Sequence, residues 1–176
     1  VQVRSRSSSS RVIAMLVEIL RHTPAWVFGL FALLIALGMT QARARTLGLV
    51  RLALLPLAML GLSLYGAVSA FGLSELALGS WAAALAAVAL ASLALPAARG
   101  VGYSAAERTF SVPGSWFPLA LMMAIFFTKY AVAVTLARQP ALHAAPGFVA
   151  AACCLYGAFS ALFFARALRI LRTARA

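Results

Sequence analysis

The sequence predicts an all-α, polytopic transmembrane bundle of five spans, with a short N-terminal interfacial helix and a small cytoplasmic β-hairpin loop. Three observations predict it. Cutting the 176 residues at their charged side chains leaves five uncharged runs, 22–42, 52–74, 76–98, 109–128 and 139–165, each of 20 to 27 residues. A bilayer core of about 30 Å takes roughly 20 apolar residues of helix to cross. The chain is 64% apolar and only 10% charged, with a mean hydropathy of +0.99, whereas soluble domains are about half apolar and a quarter charged. Finally, the arginines cluster beside the apolar runs, as they do in the loops of inner-membrane proteins.

The formal charge of +12 does not indicate nucleic acid, because these clusters are short and form no basic domain with interleaved aromatics. Arginine outnumbers lysine 14 to 1, a bias that fits a GC-rich bacterial genome. The first fourteen residues, Val1 to Ala14, are rich in Ser and Arg and carry no core-forming pattern. They read as a disordered tail or as sequence upstream of a start at Met15, the second being favoured. Next, Ile13, Leu16, Val17 and Leu20 recur at helical spacing, opposite a polar face of Glu18, Arg21 and His22, which predicts the interfacial helix. Glu18 breaks the apolar stretch, and no small-residue cleavage site follows, so a secretory signal is rejected.

Thr23-Pro24 offers a capping hydroxyl and a proline at the first helical position, so the first span is expected at about 25–40. After the polar connector Gln41-Ala42-Arg43-Ala44-Arg45 comes a second span at about 49–71, with a kink expected at Pro56. Ser74-Glu75 places a cap and an acidic residue at the start of a third span, 75–95, which Pro96 stops. The many alanines of that span, with Ser80 and Ser92, allow close approach of neighbouring helices. The connector from Ala97 to Ser115 holds two short strand-like stretches, Val101 to Ser104 and Thr109 to Val112, hence the hairpin. The fourth span is expected at about 116–137. The fifth, at about 147–167, carries a small-residue row of Gly157, Ala161 and Ala165 and runs into an arginine-rich tail. All five spans form one domain, 15–176.

Arginine placement orients the bundle. Arg43, Arg45, Arg51, Arg99, Arg108, Arg166, Arg169, Arg172 and Arg175 fall on one side, against Arg21 and Arg138, with three more in the leader, on the other. The positive-inside rule then puts the C-terminus in the cytoplasm and the N-terminus outside.

Lys129, the sole lysine, interrupts the fourth apolar stretch about 12 Å from its outer end at 1.5 Å per residue. A lysine at that depth costs on the order of 2.5 to 3.5 kcal/mol to insert, so it should face the bundle interior and find a partner. The chain has no Asp and three Glu: Glu18, Glu75 and Glu107. Glu75 is the expected partner and Glu18 the second choice, with Tyr130, Tyr156 or helix carbonyls as uncharged alternatives. Two readings stay open: an outward-facing polar cavity that binds an anion or relays protons, and a structural lysine that fixes helix register. His22 and His143 lie outside the spans without a cluster of carboxylates or thiols, so no metal site is expected. Cys153 and Cys154 diverge by about 100° on a helix and read as packing residues. Trp26, Trp81 and Trp116 fall near helix starts, as interface anchors do. Gly79-Ser80-Trp81 and Gly114-Ser115-Trp116 are too short to indicate a repeat. No catalytic residue, phosphate-gripping loop or dinucleotide fingerprint is found, so neither an enzyme nor a cofactor is expected.

Two stretches carry a resemblance: His22-Thr23-Pro24-Ala25-Trp26-Val27 running on to Gln41-Ala42-Arg43, and Pro113-Gly114-Ser115-Trp116 running on to Phe127-Thr128-Lys129-Tyr130. From Met15 to the C-terminus the chain resembles an uncharacterised family of small multi-pass bacterial inner-membrane proteins, a domain of unknown function. The resemblance implies a bacterial inner-membrane location and points to His22, Gln41, Arg43, Lys129 and Tyr130, without an activity. The expected role is a non-enzymatic membrane protein whose partner is the lipid bilayer and not nucleic acid. The alternatives are transport of a small solute or ion around Lys129, and an accessory subunit of a larger membrane complex. Five spans hold no internal inverted symmetry, so a transporter of this kind would work as a homo-oligomer.

Overall fold

Helices form where the apolar runs predict them. The computed structural model describes residues 25–96, 98 and 100–174, and of Trp26 the backbone only. The leader, the interfacial helix, the Thr23-Pro24 cap, Arg99 and Arg175 lie outside the described residues. Among those described are five α-helices: α1 (Ala25–Gln41), α2 (Leu49–Phe71), α3 (Glu75–Leu93), α4 (Phe117–Arg138) and α5 (Pro146–Arg172). Four of them, α2 to α5, are long and apolar enough to cross a membrane. The 17 residues of α1 span about 25 Å at the standard rise.

The local signals act as their chemistry requires. Ser74 Oγ accepts the Ala77 amide at 3.2 Å and caps α3. Pro56 lies buried inside α2 without ending it, and Pro146 opens α5, where a missing N–H is harmless. Two boundaries differ from expectation, for one reason. The predicted arginine-rich tail is the last turns of α5, and its side chains serve the end of α3. Arg172 Nη1 donates to the carbonyls of Leu93 (3.1 Å) and Leu95 (3.2 Å), and Arg169 Nε donates to that of Pro96 (3.0 Å). The Leu93 carbonyl ends α3 and those of Leu95 and Pro96 follow it, so two cations at the negative end of the helix stabilise the stop at Leu93.

The predicted hairpin is present as β2 (Gly102–Ser104) and β3 (Thr109–Val112), but it is part of a larger unit. Arg45–Gly48, expected within or next to a polar connector, forms strand β1, which pairs antiparallel with the other edge of β3 in the order β1-β3-β2. Phe110 and Val112 alternate onto the inner face of β3 and are buried with Leu52, Ala167 and Ile170 of α2 and α5. The connector between α1 and α2, the connector between α3 and α4, and the C-terminal turns of α5 are thereby fastened together at one end of the bundle. At the opposite end a 3-10 turn, Pro140–Ala144, leads from α4 into α5. His143 in that turn donates through Nδ1 to the Ala70 carbonyl at 3.0 Å.

Helix α5 is the axis of the packing. It lies most extensively along α3 and next along α2, while α1 packs on α4 and α4 meets α5 sparingly. The predicted small-residue row explains the first contact. Gly157, Ala161 and Ala165 are all buried, and a Cβ at Gly157 would strike the Trp81 carbonyl and lie 3.2 Å from the Leu85 amide. Backbone meets backbone there, so dispersion replaces the hydrophobic drive that lipid does not supply. Cys153 is buried and Cys154 Sγ leans on the Ser80 carbonyl at 3.5 Å, both free thiols, as packing residues would be.

This contact predicts the outcome of a paired substitution. Gly157→Ala pushes two backbones apart and lowers unfolding stability in detergent micelles by about 1–3 kcal/mol. Gly61→Ala, where nothing lies within 4 Å of the added methyl, leaves stability unchanged or raises it by up to about 1 kcal/mol through helix propensity. Thermal or SDS-induced unfolding of the two variants beside wild type checks both.

Candidate functional site

Two helix pairings leave a gap between them, and the lysine sits in it. Because α1 follows α4 while α2 and α3 follow α5, a cleft of about 970 Å³ runs among α1, α2, α4 and α5. Its walls are mostly apolar, including Leu34, Met59, Ile125 and Phe126, and its polar groups are few: Ser63, Ser69, Lys129, Tyr130, Arg138, Tyr156 and Ser160. The expectation of a polar cavity is corrected on this point. Helices built almost wholly of Leu, Ala, Phe and Val can line a gap with little else.

Lys129 is half-buried on α4. Its ammonium donates to the Leu62 carbonyl of α2 at 3.1 Å and stands 5.3 Å from the centre of the Tyr156 ring on α5. Gly66, one turn beyond Leu62, touches Nζ directly, and any side chain there would displace it. Of the partners the sequence suggested, Lys129 meets a helix carbonyl and Tyr156. Glu75 stands exposed in the first turn of α3, and Glu18 lies outside the described residues. Tyr130 also lines the cleft, its ring stacked on Phe126 with an interplanar angle of 6°. A carbonyl and a ring face orient the ammonium without cancelling its charge. Two of its three N–H groups have no acceptor among the described residues.

Below the lysine lies a hydrogen-bond relay that sequence reasoning missed. Trp81 Nε1 donates to Ser63 Oγ at 3.0 Å, and Ser63 donates on to the Tyr156 carbonyl at 2.8 Å. Ser160 reaches the same carbonyl at 3.2 Å. Trp81, expected as an interface anchor, spends its indole N–H on α2. It lies well inside α3, half-buried, with its indole N–H satisfied by another helix, as a polar group in hydrocarbon must be. Trp116, just ahead of α4, is 67% exposed. A lone serine in an apolar run gives no sign of which partner it will find, so Ser63 could not be singled out from sequence.

The two motif stretches of the resemblance meet at the sheet end. The Gln41 carbonyl accepts the Ser115 amide at 3.2 Å, and Gly114 lies directly against the Ala42 carbonyl. Gln41 is 93% buried by its 7% exposure, and its Oε1 accepts from Arg45 Nη2 at 3.0 Å. Arg43 is exposed, and His22 lies outside the described residues. Gln41 thus acts on Arg45 and does not approach Lys129. The two tripeptides Gly79-Ser80-Trp81 and Gly114-Ser115-Trp116 occupy unlike settings, a helix interior and a loop, as coincidental matches would.

Comparison with curated proteins and with solved structures finds no match. Comparison with family models finds one, and it covers residues 7–176, beginning within the Ser-rich leader instead of at Met15. The chain belongs to that family, a family of unknown function (DUF6622).

Proposed function

We propose that this is a non-enzymatic, five-span protein of the bacterial cytoplasmic membrane that holds an apolar anion in its cleft, with Lys129 as the counter-ion. One observation carries the reading: an ammonium oriented by the Leu62 carbonyl and the Tyr156 ring, and paired with no carboxylate among the described residues, faces a large apolar gap. A charge kept at that depth is expensive and marks a site unless something local neutralises it. The walls suit a hydrocarbon tail, and the two remaining N–H groups suit a carboxylate or sulfonate head. Arg138, at the outer end of the cleft, would draw an anion toward it.

The orientation proposed is N-terminus outside and C-terminus in the cytoplasm. Seven of the nine arginines assigned to the inner side (all but Arg99 and Arg175) sit on the sheet, its adjoining turns or the last turns of α5, while Arg138 and Glu75 stand at the other end. The positive-inside rule supports the sheet end as cytoplasmic. Although α1 is short, its pairing with α4 supports it as a fifth span.

A second reading, transport, is favoured by the apolar layer beneath the cleft. Leu121, Met122 and Phe163 form a buried cluster with Leu55 and Met59. Met59 and Met122 line the cleft, while Leu55 and Phe163 line a smaller pocket at the sheet end. A single cluster thus divides two cavities, as a gate would.

Dodecanoate and its neutral analogue dodecanol serve as probes. Wild-type protein in nanodiscs binds dodecanoate about tenfold more tightly, equivalent to about 1.4 kcal/mol, and Lys129→Met abolishes the preference while retaining dodecanol binding. Equal affinities in wild type, with Lys129→Met merely less stable, would make the lysine structural. For topology, reporter fusions at Arg108 and the C-terminus read cytoplasmic and a fusion at Glu75 reads external; a cytoplasmic signal at Glu75 reverses the assignment.

A further inference from the structure

Five of the arginines at the sheet end form two groups by what they touch or line. Arg169 and Arg172 are spent on the carbonyls that end α3. Three others, Arg45, Arg51 and Arg166, converge on a pocket of about 350 Å³. Arg45 is held by the Gln41 amide oxygen. Arg166 Nη1 donates to Ser115 Oγ at 3.4 Å, and its guanidinium lies 6.0 Å from the centre of the Phe117 ring. Arg51, exposed in the first turn of α2, bonds to no group among the described residues.

Every one of these partners is neutral, so they aim the guanidiniums without balancing them. Arg45 and Arg169 both repel Arg166, and burial holds the Arg45 guanidinium below its ordinary value. Neither described carboxylate lines the pocket: Glu107 is in the hairpin turn and Glu75 at the start of α3. Gathering like charges round a void is unfavourable, and an anion entering the void offsets that repulsion by its attraction to each of them.

We propose that this pocket binds a phosphate-bearing anion, with Arg45, Arg51 and Arg166 as its donors and the exposed Thr46 hydroxyl beside them. The planar forks of arginine match phosphate oxygens two at a time. Leu55 and Phe163, a turn deeper in α2 and α5 than Arg51 and Arg166, floor the pocket near the ends of those helices, the level where lipid headgroups lie. A cationic rim above an apolar floor favours the headgroup of an anionic phospholipid, and a soluble phosphate presents the same oxygens. The site is separate from Lys129 and stands or falls apart from it.

The test uses the full chain in dodecyl maltoside micelles, titrated with phosphatidylglycerol, phosphatidylcholine and inorganic phosphate, and followed by native mass spectrometry and thermal shift. Phosphatidylglycerol binds about tenfold more tightly than phosphatidylcholine. Arg51→Gln, which breaks no internal bond, weakens it about fivefold, and Arg51→Glu weakens it by more than about tenfold. Arg108→Glu, in the nearby hairpin turn but outside the pocket, changes it by less than about twofold. Inorganic phosphate that binds wild type and displaces the lipid identifies a soluble source; phosphate that does neither identifies the lipid. Equal binding of both lipids with no phosphate binding overturns the proposal, as does a loss in Arg108→Glu equal to that in Arg51→Glu.

Discussion

The backbone contact between α3 and α5 at Gly157 sets the rest of the bundle. With only a hydrogen on that Cα, the Trp81 carbonyl comes against α5. The indole of Trp81 then reaches Ser63 on α2, and the Ser63 hydroxyl reaches the Tyr156 carbonyl one residue before the contact. Three helices are tied by one glycine and two hydrogen bonds. The same tie presents the Leu62 carbonyl and the Gly66 surface to α4, and the Tyr156 ring stands ready from α5. The position of Lys129 is therefore inherited from a contact it does not make.

A second fastening works at the other end by different means. The three-stranded sheet joins two connectors that lie far apart in sequence, and Phe110 and Val112 seal it onto α2 and α5. The arginines there have three physical jobs. In the proposed topology their number sets membrane orientation; Arg169 and Arg172 satisfy the carbonyls at the end of α3, and Arg45, Arg51 and Arg166 concentrate positive charge round a pocket. Only the first of these depends on number alone; the others depend on place.

Legibility followed the range of the interaction. Helices α2 to α5 were visible because twenty-odd uncharged residues have few other fates, and the Ser74 cap and Pro146 start are decided by immediate neighbours. Strand β1 was missed because four residues, Arg45 to Gly48, carry no usable alternation and pair with a strand more than sixty residues away in sequence. At the site, the anomaly of Lys129 and the alternatives of a carbonyl or Tyr156 were readable. Its selection of Leu62 over Glu75 was not, because that depends on which helices pack together. The arginine pocket was hidden for the same reason: Arg45, Arg51 and Arg166 read as topology signals until the sheet brings them together.

The Lys129 ammonium is oriented but meets no carboxylate among the described residues, and a chain with a single lysine allows that to be observed without mutation. Protein labelled with 15N at lysine, and with 13C at leucine and tyrosine or at glutamate, can be studied in bilayers by dipolar recoupling. One side-chain nitrogen signal is expected, coupled to a leucine carbonyl carbon and to tyrosine ring carbons. Coupling of that nitrogen to a glutamate carboxylate carbon would contradict it.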